Sequence, residues 1–190
     1  GFTALDKETG GWQNSDLIII AARPAMGKTA FILSMARNIC VDHNIPMALF
    51  SLEMASVQLI TRMISSETGI SSEKLRKGQM ADEEWQRLFT NVSALENAPL
   101  YIDETPSLSI FDFRAKCRRL VMQHGVKIIM VDYLQLMTAS SGKGAGNREQ
   151  EIAMISRSLK AIAKELNVPV IALSQLSRSV ETRPGKRPML

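Results

Sequence analysis

The sequence predicts an α/β domain with a mostly parallel sheet and helices on both faces. Five short apolar runs alternate with longer segments in which apolar residues recur at helical spacing, a pattern typical of strands joined by crossover helices. The chain has 190 residues, of which 45% are hydrophobic and 22% charged, so it is long enough to bury one core. We therefore expect a single domain over residues 1–190.

The predicted elements alternate along most of the chain. Strands are expected at Asp16–Ala21, Met47–Ser51, Leu100–Asp103, Lys127–Asp132 and Val168–Ser174. Helices are expected at Thr29–His43, Ser56–Glu67, Ser71–Lys77, Asp82–Ala94, Ile110–His124 and Gln150–Leu166. The segments 138–147 and 175–190 are rich in small, polar or proline residues, and we expect them to be flexible loops.

A phosphate-binding loop follows the first predicted strand. It consists of Ala22, Arg23, Pro24, Ala25, Met26, Gly27, Lys28 and Thr29. Strand, loop and helix in this order direct backbone N–H groups and a helix N-terminus at one point. Gly27 lets the backbone approach the phosphates, Lys28 reaches the β- and γ-phosphates, and the Thr29 hydroxyl binds Mg²⁺. The sequence therefore predicts a nucleoside triphosphate site, although Ala22 replaces the first glycine of the usual pattern.

Three polar side chains are expected at the carboxyl-terminal edge of the same sheet. Asp132 ends an apolar strand, where its carboxylate is placed to support the metal. Glu53 could polarise the attacking water or be an ordinary acidic residue near a helix N-terminus, and the pattern favours neither. Gln175 could sense the γ-phosphate and move the loop after it, or be an ordinary loop residue.

The net charge of +4 is unevenly distributed. Nine basic and four acidic residues lie from Gly142 onward, so the last quarter of the chain supplies the positive balance. Such a bias suits an anionic polymer as partner, and a solvated basic surface is the alternative.

Composition argues against several other classes of protein. Cys40 and Cys117 lie in helical patterns without partner spacing, so we expect buried free thiols rather than a metal or redox site. No run of residues has the length and purity of a membrane span, and no signal-peptide pattern opens the chain. We expect no membrane association and a cytoplasmic protein.

Several segments together resemble the C-terminal motor domain of the DnaB-type bacterial replicative DNA helicases, within the RecA-like ATPases. The matching segments are 21–29, 51–54, 131–136, 147–152 and 174–178, and the resemblance extends over essentially the whole chain. The family's own loop has alanine at the position of Ala22. The resemblance implies a RecA-like phosphate-loop fold and ATP-driven movement along single-stranded DNA, in the 5′–3′ direction, that unwinds the duplex at a replication fork.

The resemblance also implies roles at the nucleotide site. The loop of residues 22–29 would bind ATP, with Lys28 taking part in catalysis, and Thr29 and Asp132 would hold Mg²⁺, Asp132 through water. Glu53 would be the carboxylate that activates water, which resolves the ambiguity of the pattern alone. Gln175 would couple the γ-phosphate to a DNA-facing loop. Arg62 would face the nucleotide.

Partners follow from the same resemblance. Single-stranded DNA would be gripped by the loops 138–147 and 175–190, through Lys143, Arg148, Arg178, Arg183, Lys186 and Arg187. The full-length protein would be a homo-hexamer that works with a primase and a helicase loader near the nucleoid. Because chains of the family continue with further strands and an arginine finger, this chain is expected to be an incomplete domain that hydrolyses ATP weakly on its own.

Two other functions share much of this pattern. One is a RecA-like recombination or repair ATPase, and the segments 51–54 and 147–152 favour the helicase over it. The other is a nucleotide-dependent assembly switch that handles no DNA, against which the basic residues near the end of the chain argue.

Overall fold

The computed structural model describes residues 3–138 and 148–176, except for the side chain of Arg148. The strands are β1 (Leu17–Ala22), β2 (Met47–Ser51), β3 (Leu100–Asp103), β4 (Ile128–Asp132) and β5 (Val170–Gln175). The helices are α1 (Thr3–Thr9), α2 (Lys28–Arg37), α3 (Ser56–Thr68), α4 (Ser72–Lys77), α5 (Asp82–Glu96), α6 (Ile110–His124) and α7 (Arg148–Leu166). A π-helical turn, Asn38–Asp42, follows α2, and a 3₁₀ turn, Leu134–Leu136, follows β4.

The strands form one parallel sheet in the order β1-β5-β4-β2-β3. Because neighbouring strands run the same way, their carboxyl ends meet at one edge. The segments that follow β1, β2, β4 and β5 therefore converge there.

Alternate residues of the strands bury opposite faces of the sheet. On β2, Ala48 and Phe50 pack with α6 and α7, and Phe50 meets Phe113 of α6 edge to face at 4.7 Å between ring centroids. Met47 and Leu49 instead pack with α2 and α3 on the other face. Each large apolar side chain buried in this way stabilises the fold by about 1.5–3 kcal/mol. The expected arrangement, a parallel sheet with helices on both faces, is confirmed.

Several element boundaries differ from the sequence-based prediction. The helix Thr3–Thr9 was not predicted, because none of its residues is buried and it has no apolar stripe to detect. The expected helix Thr29–His43 is α-helical only to Arg37 and then continues as the π-helical turn.

The expected loops 138–147 and 175–190 both begin with a residue that is held by β pairing. Thr138 forms an isolated parallel bridge with Ser109, and Gln175 pairs with Ala22 as the last residue of β5. Gln175 therefore belongs to the strand and does not follow it. The rest of the two loops, residues 139–147 and 177–190, lies outside the described residues, apart from Leu176.

Both cysteines are buried and free, as predicted. Burial raises the pKa of Cys40 to about 11, so its thiol stays protonated and unreactive near neutral pH. Within residues 3–138 and 148–176, every helix is too short or too polar to cross a membrane.

Candidate nucleotide-binding site

The segment between β1 and α2 forms a loop over the N-terminus of α2. Gly27 precedes the helix with φ of 81°, a left-handed conformation that glycine adopts without strain. Within the described residues no side chain caps α2, so the N–H groups of its first turn are open to an anion. The ammonium group of Lys28 donates a hydrogen bond of 3.3 Å to the carbonyl oxygen of Ala22, across the loop. Both features suit a phosphate chain.

Asp132 stands beside this loop at the end of β4. The Thr29 hydroxyl donates a hydrogen bond of 2.9 Å to Oδ2 of Asp132. The carboxylate is only 1% exposed, and its Oδ1 has no hydrogen-bond partner among the described residues. Burial raises the pKa of Asp132, and the nearby carboxylate of Glu53 adds to this effect. The hydrogen bond from Thr29 and the charges of Lys28 and Arg62 oppose it.

Thr29 and Asp132 together have the chemistry of a magnesium site. Mg²⁺ takes oxygen ligands and keeps several of its waters, and this pair offers a hydroxyl and a carboxylate with one unsatisfied oxygen. A nearby cation would also offset the desolvation that raises the pKa of Asp132.

A cleft of about 350 Å³ opens in front of the loop. Its walls consist of Pro24, Ala25, Gly27, Lys28, Thr29, Ala30, Glu53, Met54, Arg62 and Gln175. The structure thus brings Glu53, Arg62 and Gln175 to the phosphate loop, although they come from three different parts of the sequence. Of the loop residues, Ala22, Arg23 and Met26 do not line the cleft, and Met26 is 60% exposed.

Glu53 lies in a tight turn between β2 and α3. The Ser51 hydroxyl donates to the Met54 carbonyl oxygen at 2.7 Å and accepts the Met54 N–H at 3.3 Å, which closes the turn. The Leu52 N–H donates to the Asp132 carbonyl oxygen at 2.8 Å, so the turn is tied to the end of β4. Only the backbone is held in this way. The side chain of Glu53 is exposed and forms no hydrogen bond or ion pair within the described part of the chain.

Gln175 is held by Gln135, a residue to which the sequence analysis gave no role. Gln135 lies in the 3₁₀ turn, three residues after Asp132, and its amide bonds to both backbone groups of Gln175. Gln135 lies in the segment 131–136, which carries part of the family resemblance. The sequence around Gln135 gives no sign of this contact with Gln175. The contact depends on where β4 and β5 stop pairing.

Five of the six candidate DNA-binding residues lie in the segments that the structure does not describe. Lys143, Arg178, Arg183, Lys186 and Arg187 lie outside the described residues. The backbone of Arg148 begins α7.

A glycine-lysine-threonine loop after the first strand of a parallel sheet, with an acid at the end of another strand, defines a phosphate-loop nucleotide-binding domain. Within that class, the chain belongs to the family described as DnaB-like helicase C terminal domain, whose model matches residues 1–190. The resemblance seen in the sequence is thereby confirmed.

Curated relatives align with the whole chain. It is 54% identical to the replicative DNA helicase DnaB of Geobacillus stearothermophilus and 50% identical to the replicative DNA helicase DnaC of Bacillus subtilis (strain 168). All of this chain aligns with 42% of the length of each relative, so it spans less than half of these curated relatives.

Two solved structures share the fold over the whole chain. One, described as an ATPase domain, matches with a TM-score of 0.89 at 40% identity, and 67% of that chain is covered. A DnaB-like replicative helicase, described together with its interactions with primase, matches with a TM-score of 0.88 at 40% identity, and 46% of that chain is covered. The expected RecA-like fold class is confirmed by these neighbours.

Proposed function

We propose that this domain is the ATP-hydrolysing motor of a replicative DNA helicase, which moves along single-stranded DNA and unwinds the duplex at a replication fork. The observation that carries the proposal is the convergence of Lys28, Thr29 and Glu53 on one cleft, beside Asp132, in a chain of the DnaB-like helicase family. ATP is the proposed substrate and Mg²⁺ the proposed metal. When bound, Mg²⁺ would neutralise charge on the phosphates and orient them.

The proposed roles follow from position in the cleft. Lys28 binds the β- and γ-phosphates together with the N–H groups at the start of α2. Thr29 and Asp132 hold Mg²⁺, Asp132 through a water molecule. Glu53 is exposed to water at the side of the cleft, where its carboxylate can accept a proton from the attacking water.

Arg62 and Gln175 complete the proposed set. Arg62 lines the same cleft from α3 and adds positive charge opposite the phosphate chain. Gln175 offers an amide that can bond to the γ-phosphate, and loss of that phosphate after hydrolysis would change the contacts at the end of β5.

We extend the proposal to DNA and assembly. Within a single domain over residues 1–190, the segments 138–147 and 175–190 would face single-stranded DNA and grip its phosphates through the basic residues named above. The whole protein would be a homo-hexamer that moves 5′–3′ and works with a primase and a loader. A solved relative described with its interactions with primase supports the primase partner. Work on chromosomal DNA would place the protein in the cytoplasm, at the nucleoid.

The test is unwinding of a forked DNA duplex by the full-length protein and its Glu53→Gln variant. The variant should bind ATP within about threefold of the parent. Its hydrolysis should fall by about 10²- to 10⁴-fold, with loss of unwinding, because an amide cannot accept the proton. Glu83→Gln, at an exposed position of α5, is the matched control and should unwind like the parent. Unwinding by the Glu53→Gln variant would contradict the assigned role.

The unwinding assay, together with measurements of single-stranded DNA binding at several salt concentrations, separates the alternative functions. Hydrolysis without strand separation would favour a recombination or repair ATPase. No binding to single-stranded DNA, or binding whose affinity does not fall as salt rises, would favour an assembly switch. Phosphate contacts weaken steeply as salt rises.

A further inference from the structure

The sheet has an uneven end beside the proposed γ-phosphate site. Pairing between β4 and β5 stops at Val131 and Ala172, whereas pairing between β1 and β5 continues to Ala22 and Gln175. The end of β5 therefore has a strand neighbour on one side only. In a parallel ladder alternate residues bond to opposite neighbours. The Leu176 N–H accordingly bonds to the Ala22 carbonyl oxygen at 3.0 Å, while the N–H and C=O of Gln175 face the other side.

The side-chain amide of Gln135 occupies that other side. Its Nε2 donates to the Gln175 carbonyl oxygen at 3.1 Å and to the Ser174 hydroxyl at 2.8 Å. Its Oε1 accepts the Gln175 N–H at 3.2 Å. The reverse orientation of the amide would place oxygen against oxygen and N–H against N–H, so the backbone of Gln175 selects this one. A carboxamide has the same donor and acceptor as a peptide group, and here it stands in for the missing strand residue.

We propose that Gln135 is a positioning residue that fixes the end of β5, so that the side chain of Gln175 stays at the phosphate cleft. This inference rests on the proposed function, in which Gln175 bonds to the γ-phosphate. Gln135 belongs to the turn directly after Asp132, so its amide joins the segment of the metal-binding acid to the segment of the phosphate sensor. A shift at either segment is passed to the other through this amide.

Removal of the amide has a local consequence. Without Gln135, both backbone groups of Gln175 would have to find water, and the end of β5 would be held from β1 alone. The hydrogen bond from Lys28 to Ala22 and the one from Thr29 to Asp132 do not involve Gln135, so both should remain. ATP binding should therefore survive, whereas turnover should suffer, because a misplacement of about 1 Å can slow a reaction by about 10²-fold.

The first measurement is hydrogen exchange of backbone amides in the full-length protein without nucleotide. In Gln135→Met, the Gln175 amide should exchange about fivefold to tenfold faster, the effect of losing one hydrogen bond. The Leu176 amide, bonded to Ala22, is the internal reference and should change less. Faster exchange spread evenly over the sheet would reduce Gln135 to a general stabilising role and overturn the inference.

The second measurement separates kcat from KM for ATP in the presence of single-stranded DNA. Gln135→Met should lower kcat about tenfold or more and change KM less than about threefold. Gln135→Glu keeps the acceptor for the Gln175 N–H but loses the donor, so its kcat should be intermediate. If Gln135→Met does not fold, the comparison is made with Gln135→Glu instead. Gln123→Met, at an exposed position of α6, is the control.

The outcomes distinguish this inference from the proposed function. A parent protein that does not hydrolyse ATP overturns the proposed function, and the exchange experiment still judges whether Gln135 holds β5. An active parent whose kcat is unaffected by Gln135→Met, or whose affinity and kcat fall together, overturns the positioning role alone.

Discussion

The two halves of the nucleotide cleft differ in how far the chain fixes their geometry. In the bonded half, formed by Lys28, Thr29 and Asp132, the side chains hydrogen-bond to one another or to the loop. In the open half, formed by Glu53 and Arg62, both side chains are exposed and bond to no other residue within the described part of the chain. The groups proposed to bind phosphate and metal are thus preorganised, whereas the groups proposed for hydrolysis are not held by other described residues.

Preorganisation has an energetic consequence in the bonded half. A carboxylate that is 1% exposed, with one oxygen lacking a partner among the described residues, destabilises the fold at neutral pH. Binding of a cation would relieve this effect, so part of the folding stability is exchanged for metal affinity. The open half carries no such penalty, because water solvates Glu53 and Arg62. Mutations in the two halves should therefore differ in kind as well as in size.

The largest effect is expected for Lys28→Met in the bonded half. The ammonium group of Lys28 is the positive charge of the phosphate loop that lines the cleft, and methionine keeps its length while removing that charge. We expect ATP affinity to fall about 10²-fold or more, with hydrolysis undetectable, because removing one partner of a desolvated charge pair costs about 2–5 kcal/mol. Equilibrium titration with a fluorescent ATP analogue measures this. Lys127→Met, at an exposed position before β4, is the control. An affinity within threefold of the parent would contradict the division into halves.

The next effect is expected for Asp132→Asn, and it has two opposite parts. Hydrolysis should fall by about 10²-fold, since a neutral amide holds Mg²⁺ poorly. The nucleotide-free protein should become more stable by about 1–2 kcal/mol, since the asparagine oxygen can still accept from Thr29 while the buried charge is gone. Chemical denaturation of parent and variant without metal measures the second part. A variant less stable than the parent would show that the carboxylate stabilises the fold.

The pH dependence of this stability difference has a defined sign. Burial raises the pKa of Asp132 in the folded state above the value in the unfolded chain, so the folded state binds a proton more readily. The destabilisation by the ionised carboxylate is complete above the folded pKa. It disappears as pH falls through that pKa to the ordinary aspartate value. The stability gain of Asp132→Asn should therefore be largest near neutral pH and shrink in mild acid.

Local patterns were sufficient to predict the bonded half. A strand, a Gly-Lys-Thr loop and a helix place Lys28 and Thr29, and the rule that parallel strands end at one edge places Asp132 beside them. The role proposed for Glu53 needed the family resemblance, because an acid after a strand fits two interpretations equally well. The structure adds that Glu53 lines the cleft.

Other features could not be predicted because they depend on pairing across the sheet. That Gln175 ends β5, and that Gln135 bonds to it, follows from β4 and β5 parting earlier than β1 and β5. The residues of the segment 131–136 do not by themselves indicate where the pairing of β4 with β5 ends. The unpredicted helix α1 shows a different limit, since a helix without buried residues has no periodic pattern to detect.

The smallest effect is expected for Arg62→Ala in the open half. Arg62 is exposed, so its charge would act on bound phosphates through water and would be screened by salt. We expect kcat to fall about tenfold, ATP affinity to change less than about threefold, and the free energy of unfolding to stay within about 0.5 kcal/mol. Steady-state hydrolysis at low and high salt measures this, with Arg119→Ala on α6 as control.

Arg62→Lys sharpens the comparison between the two halves. If Arg62 acts only as a positive charge, lysine should restore most of the rate, and the defect of the alanine variant should shrink as salt rises. If the planar guanidinium bonds directly to phosphate once ATP is bound, lysine should not restore the rate and salt should matter little. An affinity loss in Arg62→Ala as large as that in Lys28→Met would mean that the open half also fixes the ground state, and the distinction between the two halves would fail.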